Sequence, residues 1–382
     1  MTSPQTGTTR IVAGEQPKKN RGLQIAVTAG VVLLLGAGAA VAATVANKPA
    51  AEQAAVGTPA TELKLGYFGN ITHAPALVGV SKGIIQKDLG EGTKLSTEVF
   101  NAGPAAVEAL NAGAIDAAYL GPNPAINSFV KSKGESISII AGAASGGAQL
   151  VVNSSIKTAA DLKGKNLATP QLGGTQDVAL GVYLKKQGFK TTTDGGGDVN
   201  ITPTENAQTL KLFQDGKLDG AWLPEPWASR LVLQAKAKVL VDEKDLWDGS
   251  LSAKPGQFPT TILIVNKSFL KEHPQTIEAL LKGHVESVAW LNSAPEGEKA
   301  SVLNAALKES SGKALPDDVI GRSLKNIEFT VDPLAGTYTK LLQDGVDAGT
   351  TKSADINGIF NLTLLNKVGG AEKVSAAGLG TD

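Results

Sequence analysis

From residue 62 onward, apolar and polar positions follow two alternating rhythms. Short runs that are continuously apolar or alternate with period two read as strands; stretches with apolar residues three or four apart read as helices. Leu63-Lys64-Leu65-Gly66-Tyr67 is the first strand, and a helix over 74–82 is closed by Gly83. A strand over 95–100, a helix over 104–111 and a strand over 115–120 follow, with further strands over 138–141 and 149–153. The next region repeats the order, with a strand at Asn166–Thr169, a helix over 177–187, a strand near Ile201, a helix over 207–215 and a strand over 218–223. A late strand covers 260–266, and helices are expected to begin near Phe269, Glu298, Pro316, Pro333 and Ala354. Strands alternating with helices predict an α/β protein whose sheets are mostly parallel.

The chain also contains a repeat. Asn111-Ala-Gly-Ala-Ile-Asp-Ala-Ala-Tyr-Leu-Gly-Pro-Asn-Pro-Ala125 aligns without gaps on Gln214-Asp-Gly-Lys-Leu-Asp-Gly-Ala-Trp-Leu-Pro-Glu-Pro-Trp-Ala228. Gly113/Gly216, Asp116/Asp219, Ala118/Ala221, Leu120/Leu223 and Ala125/Ala228 are identical, and Tyr119/Trp222 match in kind. In each copy a glycine ends a helix, an aspartate precedes a strand, and the strand runs into a Pro-rich turn. Two lobes of one design are expected: 62–152 as the first part of lobe I, 153–259 as lobe II and 260–382 as the rest of lobe I. The strands over 149–153 and 260–266 would cross between the lobes and form a hinge.

In open parallel sheets, ligands bind beyond the carboxyl ends of the strands, often where helices begin and free N–H groups point into the gap. That rule selects Phe68, Asn70 and His73 on the first loop, Gly103 and Pro104 on the second, and Gly121 and Asn123 on the third. In the second lobe it selects Gly174, Thr175 and Gln176, then Asn206, then Trp222, Glu225 and Trp227. These loops hold no lysine or arginine, which suits a small oxyanion held by amides and hydroxyls rather than a polyphosphate. Trp222 and Trp227 are candidates for an apolar wall. Glu225, if turned to the cleft, would favour a ligand with an amine or N–H donors.

Composition narrows the reading. The 382 residues carry 36 basic and 36 acidic side chains and no cysteine. That balance is unlike the basic stripe of a nucleic-acid binder. The missing cysteine excludes disulfides, thiolate metal sites and a lipid-bearing cysteine. Lys18-Lys19-Asn20-Arg21 precedes an uncharged stretch over 23–46, long enough to cross a membrane and rich in small residues towards its end. Residues 1–22 are thus expected to be a basic cytoplasmic N-terminus. Residues 23–46 are expected to be a signal peptide or a transmembrane anchor, followed by a linker over 47–61. Gly79-Val-Ser-Lys-Gly83 matches G-x-S-x-G, but Ser81 falls in the last turn of a helix and not at a strand-to-helix turn. The three histidines, His73, His273 and His284, lack ligand spacing for a metal, and His284 is expected on a helical surface. Gly195-Gly-Gly-Asp198 is expected to be a surface turn, and Asp116 and Asp219 to cap the entries of their strands.

Asn101-Ala-Gly-Pro-Ala, Glu108-Ala-Leu-Asn-Ala-Gly-Ala-Ile-Asp116, Thr158-Ala-Ala-Asp-Leu-Lys-Gly-Lys165 and Asp219-Gly-Ala-Trp-Leu-Pro-Glu-Pro-Trp227 resemble the solute-binding proteins of ABC importers. The resemblance covers roughly 62–368 and is to the nitrate/sulfonate/taurine type, most of all to aliphatic-sulfonate binders. It implies a type II periplasmic-binding-protein fold, with two lobes on a two-strand hinge, in a monomeric, extracytoplasmic protein without catalytic activity or cofactor. It also implies delivery of a small solute to a membrane permease served by an ATPase on another chain; no G-x-x-x-x-G-K-[ST] occurs here. Nitrate, bicarbonate or a pyrimidine vitamin precursor are alternative ligands. The related pyrimidine-precursor synthases carry a cysteine-rich segment, which this chain lacks.

Overall fold

A computed structural model describes residues 57–251, 254–369 and 373–382. The basic N-terminus, the uncharged span over 23–46 and most of the linker lie outside the described residues. Among the described residues no helix is long and apolar enough to cross a membrane. In chain order the strands are β1 Glu62–Phe68, β2 Lys94–Phe100, β3 Ala117–Leu120, β4 Ile137–Gly146, β5 Ala148–Val152, β6 Asn166–Thr169 and β7 Asn200–Pro203. They continue with β8 Gly220–Pro224, β9 Lys238–Asp242, β10 Pro259–Asn266, β11 Ile327–Phe329, β12 Phe360–Asn361 and β13 Gly380–Thr381.

These strands form two sheets within one compact unit. The first has the order β13-β12-β4-β10-β3-β1-β2, with β11 also on β4; the second has the order β7-β6-β8-β5-β9. Both are mixed, with parallel pairs the majority in the first and balanced by antiparallel ones in the second. Pairs β1–β2, β1–β3, β4–β12, β12–β13, β6–β7 and β6–β8 are parallel, while β10 runs antiparallel to β3 and β4, β11 antiparallel to β4, and β5 antiparallel to β8 and β9. The expected crossing strands over 149–153 and 260–266 are also corrected, because β5 lies wholly in the second sheet and β10 wholly in the first. The chain passes between sheets at Gly146 and Gly147, which have φ of +78° and +75°. A Cβ on Gly146 would sit 2.7 Å from the Asn326 carbonyl oxygen, and one on Gly147 2.5 Å from Ile327 Cγ1, so both backbone angle and space call for glycine. The chain returns to the first sheet after β9, at β10.

The repeat is structural. Gly113 and Gly216 both take positive φ at the end of a helix (+73° and +70°), as left-handed caps. Asp116 accepts a hydrogen bond from the Lys64 N–H at 2.8 Å, and Asp219 one from the Asn166 N–H at 2.9 Å. Each aspartate therefore fastens its strand to the start of the parallel neighbour, β3 to β1 and β8 to β6. Tyr119 and Trp222 are both fully buried, each with its polar tip on a buried partner, His284 and Glu243.

Strand alternation divides the core. In the second sheet Leu150, Val152, Leu167 and Trp222 face a large cluster that also contains the centre of the first sheet, whereas Val151, Ala168, Ala221 and Leu223 pack outward under Leu210, Phe213 and Leu231. His284 belongs to the interior and not to a helical surface. The helix Pro274–Ser293 packs on the helices Ala74–Ser81 and Ile84–Leu89, and His284 Nδ1 lies 2.9 Å from Tyr119 OH. Ser81 ends its helix and Gly83 follows at φ +69°, which places G-x-S-x-G at a helix end.

Candidate functional site

Four helices begin at one small cavity of about 30 Å³: Ala74–Ser81, Gly103–Asn111, Pro122–Lys131 and Thr175–Lys186. The residue ahead of each (His73, Ala102, Gly121 and Gly174) lines the cavity, and none of the four helix starts has a side-chain cap. Pro75, Pro104 and Pro122 have no N–H, and the Ala74 N–H is bonded to the Ile71 carbonyl, so what the helix starts leave for an occupant is their dipoles and the first N–H groups at Gly103, Thr175 and Gln176. Phe68 at the end of β1, Gly121 after β3, Pro170 after β6 and Pro224 at the end of β8 all line it, so the carboxyl ends of strands from both sheets converge there. Thr260 of β10 completes the wall.

The lining contains no lysine, arginine, aspartate or glutamate. Its polar groups are amides, hydroxyls and one imidazole. His73 is 2% exposed, and burial holds its pKa down to about 3, so the ring is neutral. The Phe68 N–H points at Nδ1 at 3.3 Å, which assigns the ring proton to Nε2 and leaves that N–H as a donor. The Thr175 hydroxyl is buried without a hydrogen-bond partner. It lies close to Gly121, where an added Cβ would stand 2.2 Å from its oxygen, so glycine at 121 makes room for it. Other buried polar atoms among the described residues, such as Asn206 Oδ1 and Tyr338 OH, also lack a partner, but Thr175 is the one of them that lines this cavity, where an occupant could supply the missing bond.

Among the residues selected from sequence, Phe68, Asn70, His73, Gly103, Gly121, Gly174, Thr175 and Gln176 meet at this cavity. The other six do not, for distinct reasons. Pro104 lines an adjoining open groove. Asn123 donates inward to the Leu341 carbonyl at 3.2 Å. Asn206, 2% exposed, is buried at the start of its own helix away from the cavity. Trp222 is strand core, donating to Glu243 at 2.8 Å and meeting Tyr183 edge-on. Trp227 acts one step removed, its indole N–H donating to Asn70 Oδ1 at 2.9 Å while Arg230 lies over its ring.

Glu225 is the main correction: it faces the protein and not the cavity. It is fully buried, with Arg322 Nη1 at 3.0 Å and Asn326 Nδ2 at 2.7 Å on Oε1, and the Ser229 N–H at 2.9 Å and Ser323 hydroxyl at 3.1 Å on Oε2. Every lone-pair direction of the carboxylate is directed to an internal donor, so none remains for a ligand amine. Sequence reasoning named the segments holding Thr72, Asn101, Ala102, Pro124 and Pro224 without selecting those residues, and missed Pro170 and Thr260. Pro170 precedes its loop by one residue. Thr260 starts a strand that runs the opposite way, so a rule based on carboxyl ends passes over it.

Two α/β sheets that meet at a neutral cavity define a periplasmic-binding-protein-like fold. The chain belongs to the NMT1-like family, whose profile matches residues 57–306. A protein of Bacillus subtilis strain 168 named as an aliphatic sulfonates-binding protein is 24% identical over 318 residues, covering 80% of this chain and 87% of its own. Among solved structures, the alkanesulfonate-binding protein SsuA of Xanthomonas axonopodis pv. citri, bound to MOPS, superposes with a TM-score of 0.62 at 19% identity, over 78% of this chain and 96% of the other. The periplasmic nitrate-binding protein NrtA of Synechocystis PCC 6803 gives 0.64 at 17% identity, over 77% and 83%. These relatives are binding proteins and not enzymes.

Proposed function

We propose that the protein is the extracytoplasmic solute-binding component of an ABC importer and that it holds the oxyanion head of a small solute at this cavity. The observation that carries the reading is the convergence of four uncapped helix starts on a space without a charged side chain, beside a buried Thr175 hydroxyl that has no internal partner. A monoanion there would meet N–H and O–H donors only, as in other anion sites built on helix starts. The neutral His73 Nε2–H adds a donor without adding charge. Gly146 and Gly147 are the pivot about which the two sheets would part to admit it. Release would hand the solute to a permease driven by a separate ATPase.

Aliphatic sulfonates come first as ligands, as the names of the relatives suggest. The reading favours short ones: about 30 Å³ admits a three-oxygen head. That same volume supports nitrate or bicarbonate as a second reading. A pyrimidine loses its support, because a single ring occupies a cavity on the order of 150 Å³ and Glu225 is turned away. Taurine is expected to bind less tightly than ethanesulfonate, since no carboxylate stands at the cavity to meet its ammonium. Thermal unfolding with methanesulfonate, ethanesulfonate, taurine, nitrate, bicarbonate and a pyrimidine tests this. A ligand at about 100 times its Kd adds about 2.7 kcal/mol to stability. A shift with the pyrimidine and none with any oxyanion would refute the proposal.

A further inference from the structure

A second cavity, of about 130 Å³, lies between the helices Thr175–Lys186 and Tyr338–Asp347, against the one-turn helix Glu243–Leu246. It shares no lining residue with the first. Val182, Tyr183 and Trp247 give it an aromatic and aliphatic wall. Trp247 is held flat against Phe258, with ring centroids 5.7 Å apart, and the Lys340 ammonium sits 4.3 Å over its ring. Glu243, only 4% exposed, also lines it. Its Oε2 accepts from the Trp222 indole N–H at 2.8 Å, while Oε1 has no hydrogen-bond partner among the described residues. A buried carboxyl with one oxygen fixed and the other open has hydrogen-bonding capacity left for a ligand, as an acceptor once it is ionised.

We propose that this cavity is a second ligand site, which takes a single-ring aromatic molecule bearing one neutral hydrogen-bond donor, of the phenol class, with the ring along Tyr183 and Trp247 and the donor on Glu243. The volume is that of one aromatic ring: a cavity of about 150 Å³ holds benzene. The charges do not favour an ammonium head, since Lys186 and Lys340 line the cavity and Asp344, the other carboxylate beside Glu243, is already paired with Lys340. Burial raises the Glu243 carboxyl to about 8, with Lys340 acting to lower it and Asp344 and Asp242 to raise it. A donor head bonds best to the ionised form, so affinity for phenol should grow as pH rises through 8. The helix that forms one wall also presents Thr175 and Gln176 to the first cavity, so the two sites share a rigid element.

The test is calorimetric titration of the full chain with phenol and with toluene, nearly the same shape without the donor, at pH 7 and pH 9. Phenol is expected to bind about tenfold more tightly than toluene and to gain affinity between the two pH values, with toluene unchanged. In Glu243→Gln the pH dependence of phenol binding should vanish while the Trp222 hydrogen bond is kept. In Ala179→Leu, which fills the cavity from its helical wall, both ligands should be lost while thermal unfolding still reports a folded protein. Equal affinities for phenol and toluene, phenol binding that survives Ala179→Leu, or no saturable binding of either would overturn the proposal. None of these readouts depends on what the first cavity holds.

Discussion

Thr175 is the side chain on which the proposed site is most directly tested. Its hydroxyl is buried, has no partner and stands at the first turn of a helix whose N–H groups open on the cavity. Replacing it by valine keeps the shape and removes only the polar atom. The folded state without ligand should keep or slightly gain stability, whereas affinity for a bound oxyanion should fall by about 1.5–3 kcal/mol, the cost of one hydrogen bond to a charged group. Paired thermal unfolding with and without ethanesulfonate measures both; loss of stability without loss of affinity would assign Thr175 to packing. His73 was legible because it sits on the first loop of the pattern. Its neutrality was not, because burial pushes its pKa down to about 3 and burial is a property of the assembled fold.

At the scale of elements, the Pro-rich turn after β8 is tied to the helix Asp317–Lys325, which lies nearly one hundred residues later in the chain. Arg322 joins Glu225, the Ser229 hydroxyl at 2.7 Å and Gln149 Oε1 at 2.8 Å, and so links that helix to the turn after β8 and to β5. Glu225→Ala leaves the Arg322 guanidinium without its carboxylate and should cost about 3–5 kcal/mol, the range for breaking a buried pair from one side. The double variant Glu225→Met with Arg322→Met should recover much of that loss. Urea denaturation of the three proteins decides it, and equal stabilities would show the network to be unimportant. The sequence pattern finds both elements, one as a Pro-rich turn and the other as a helix beginning near Pro316. It cannot find their partnership, because local periodicity carries no information about contacts between distant segments.

Across the whole molecule, stability should fall on both sides of a maximum near pH 6, for opposite reasons. His73 and His284 are buried and neutral, held to about 3 and about 4 against an ordinary 6.5. The unfolded chain therefore takes up protons that the folded one refuses as pH drops from 6.5 towards 4, and stability is lost over that window at about 1.4 kcal/mol per pH unit for each histidine. Glu243 acts in reverse. Raised to about 8 from 4.5, it keeps its proton in the fold where the unfolded chain has lost it, so its contribution is full below 4.5 and fades as pH rises to 8. Urea denaturation from pH 4 to 9 checks this. His284→Gln should flatten the acid limb by one proton and Glu243→Gln the alkaline limb by one, whatever each does to absolute stability; an unchanged slope in either refutes its assignment.

The sequence by itself determined the alternation of most strands and helices and the repeat, because period-two and helical spacing, glycine at the end of a helix and aspartate before a strand are local signals; it passed over the helices Pro122–Lys131 and Trp227–Ala235, and the helix expected near Ala354 is absent among the described residues. Matching positions such as Gly113 with Gly216 and Asp116 with Asp219 have the same local geometry in both copies of the repeat. Only the tertiary structure decided which loop residues face the cavity and which face the protein. Glu225, Asn123 and Trp222 sit on or beside the expected loops yet turn inward to partners in other elements, and Asn206 is buried without lining the cavity. Thr260 arrives from an antiparallel strand that no carboxyl-end rule selects. The direction of a side chain depends on how sheets and helices pack together, and packing is settled by the whole chain at once.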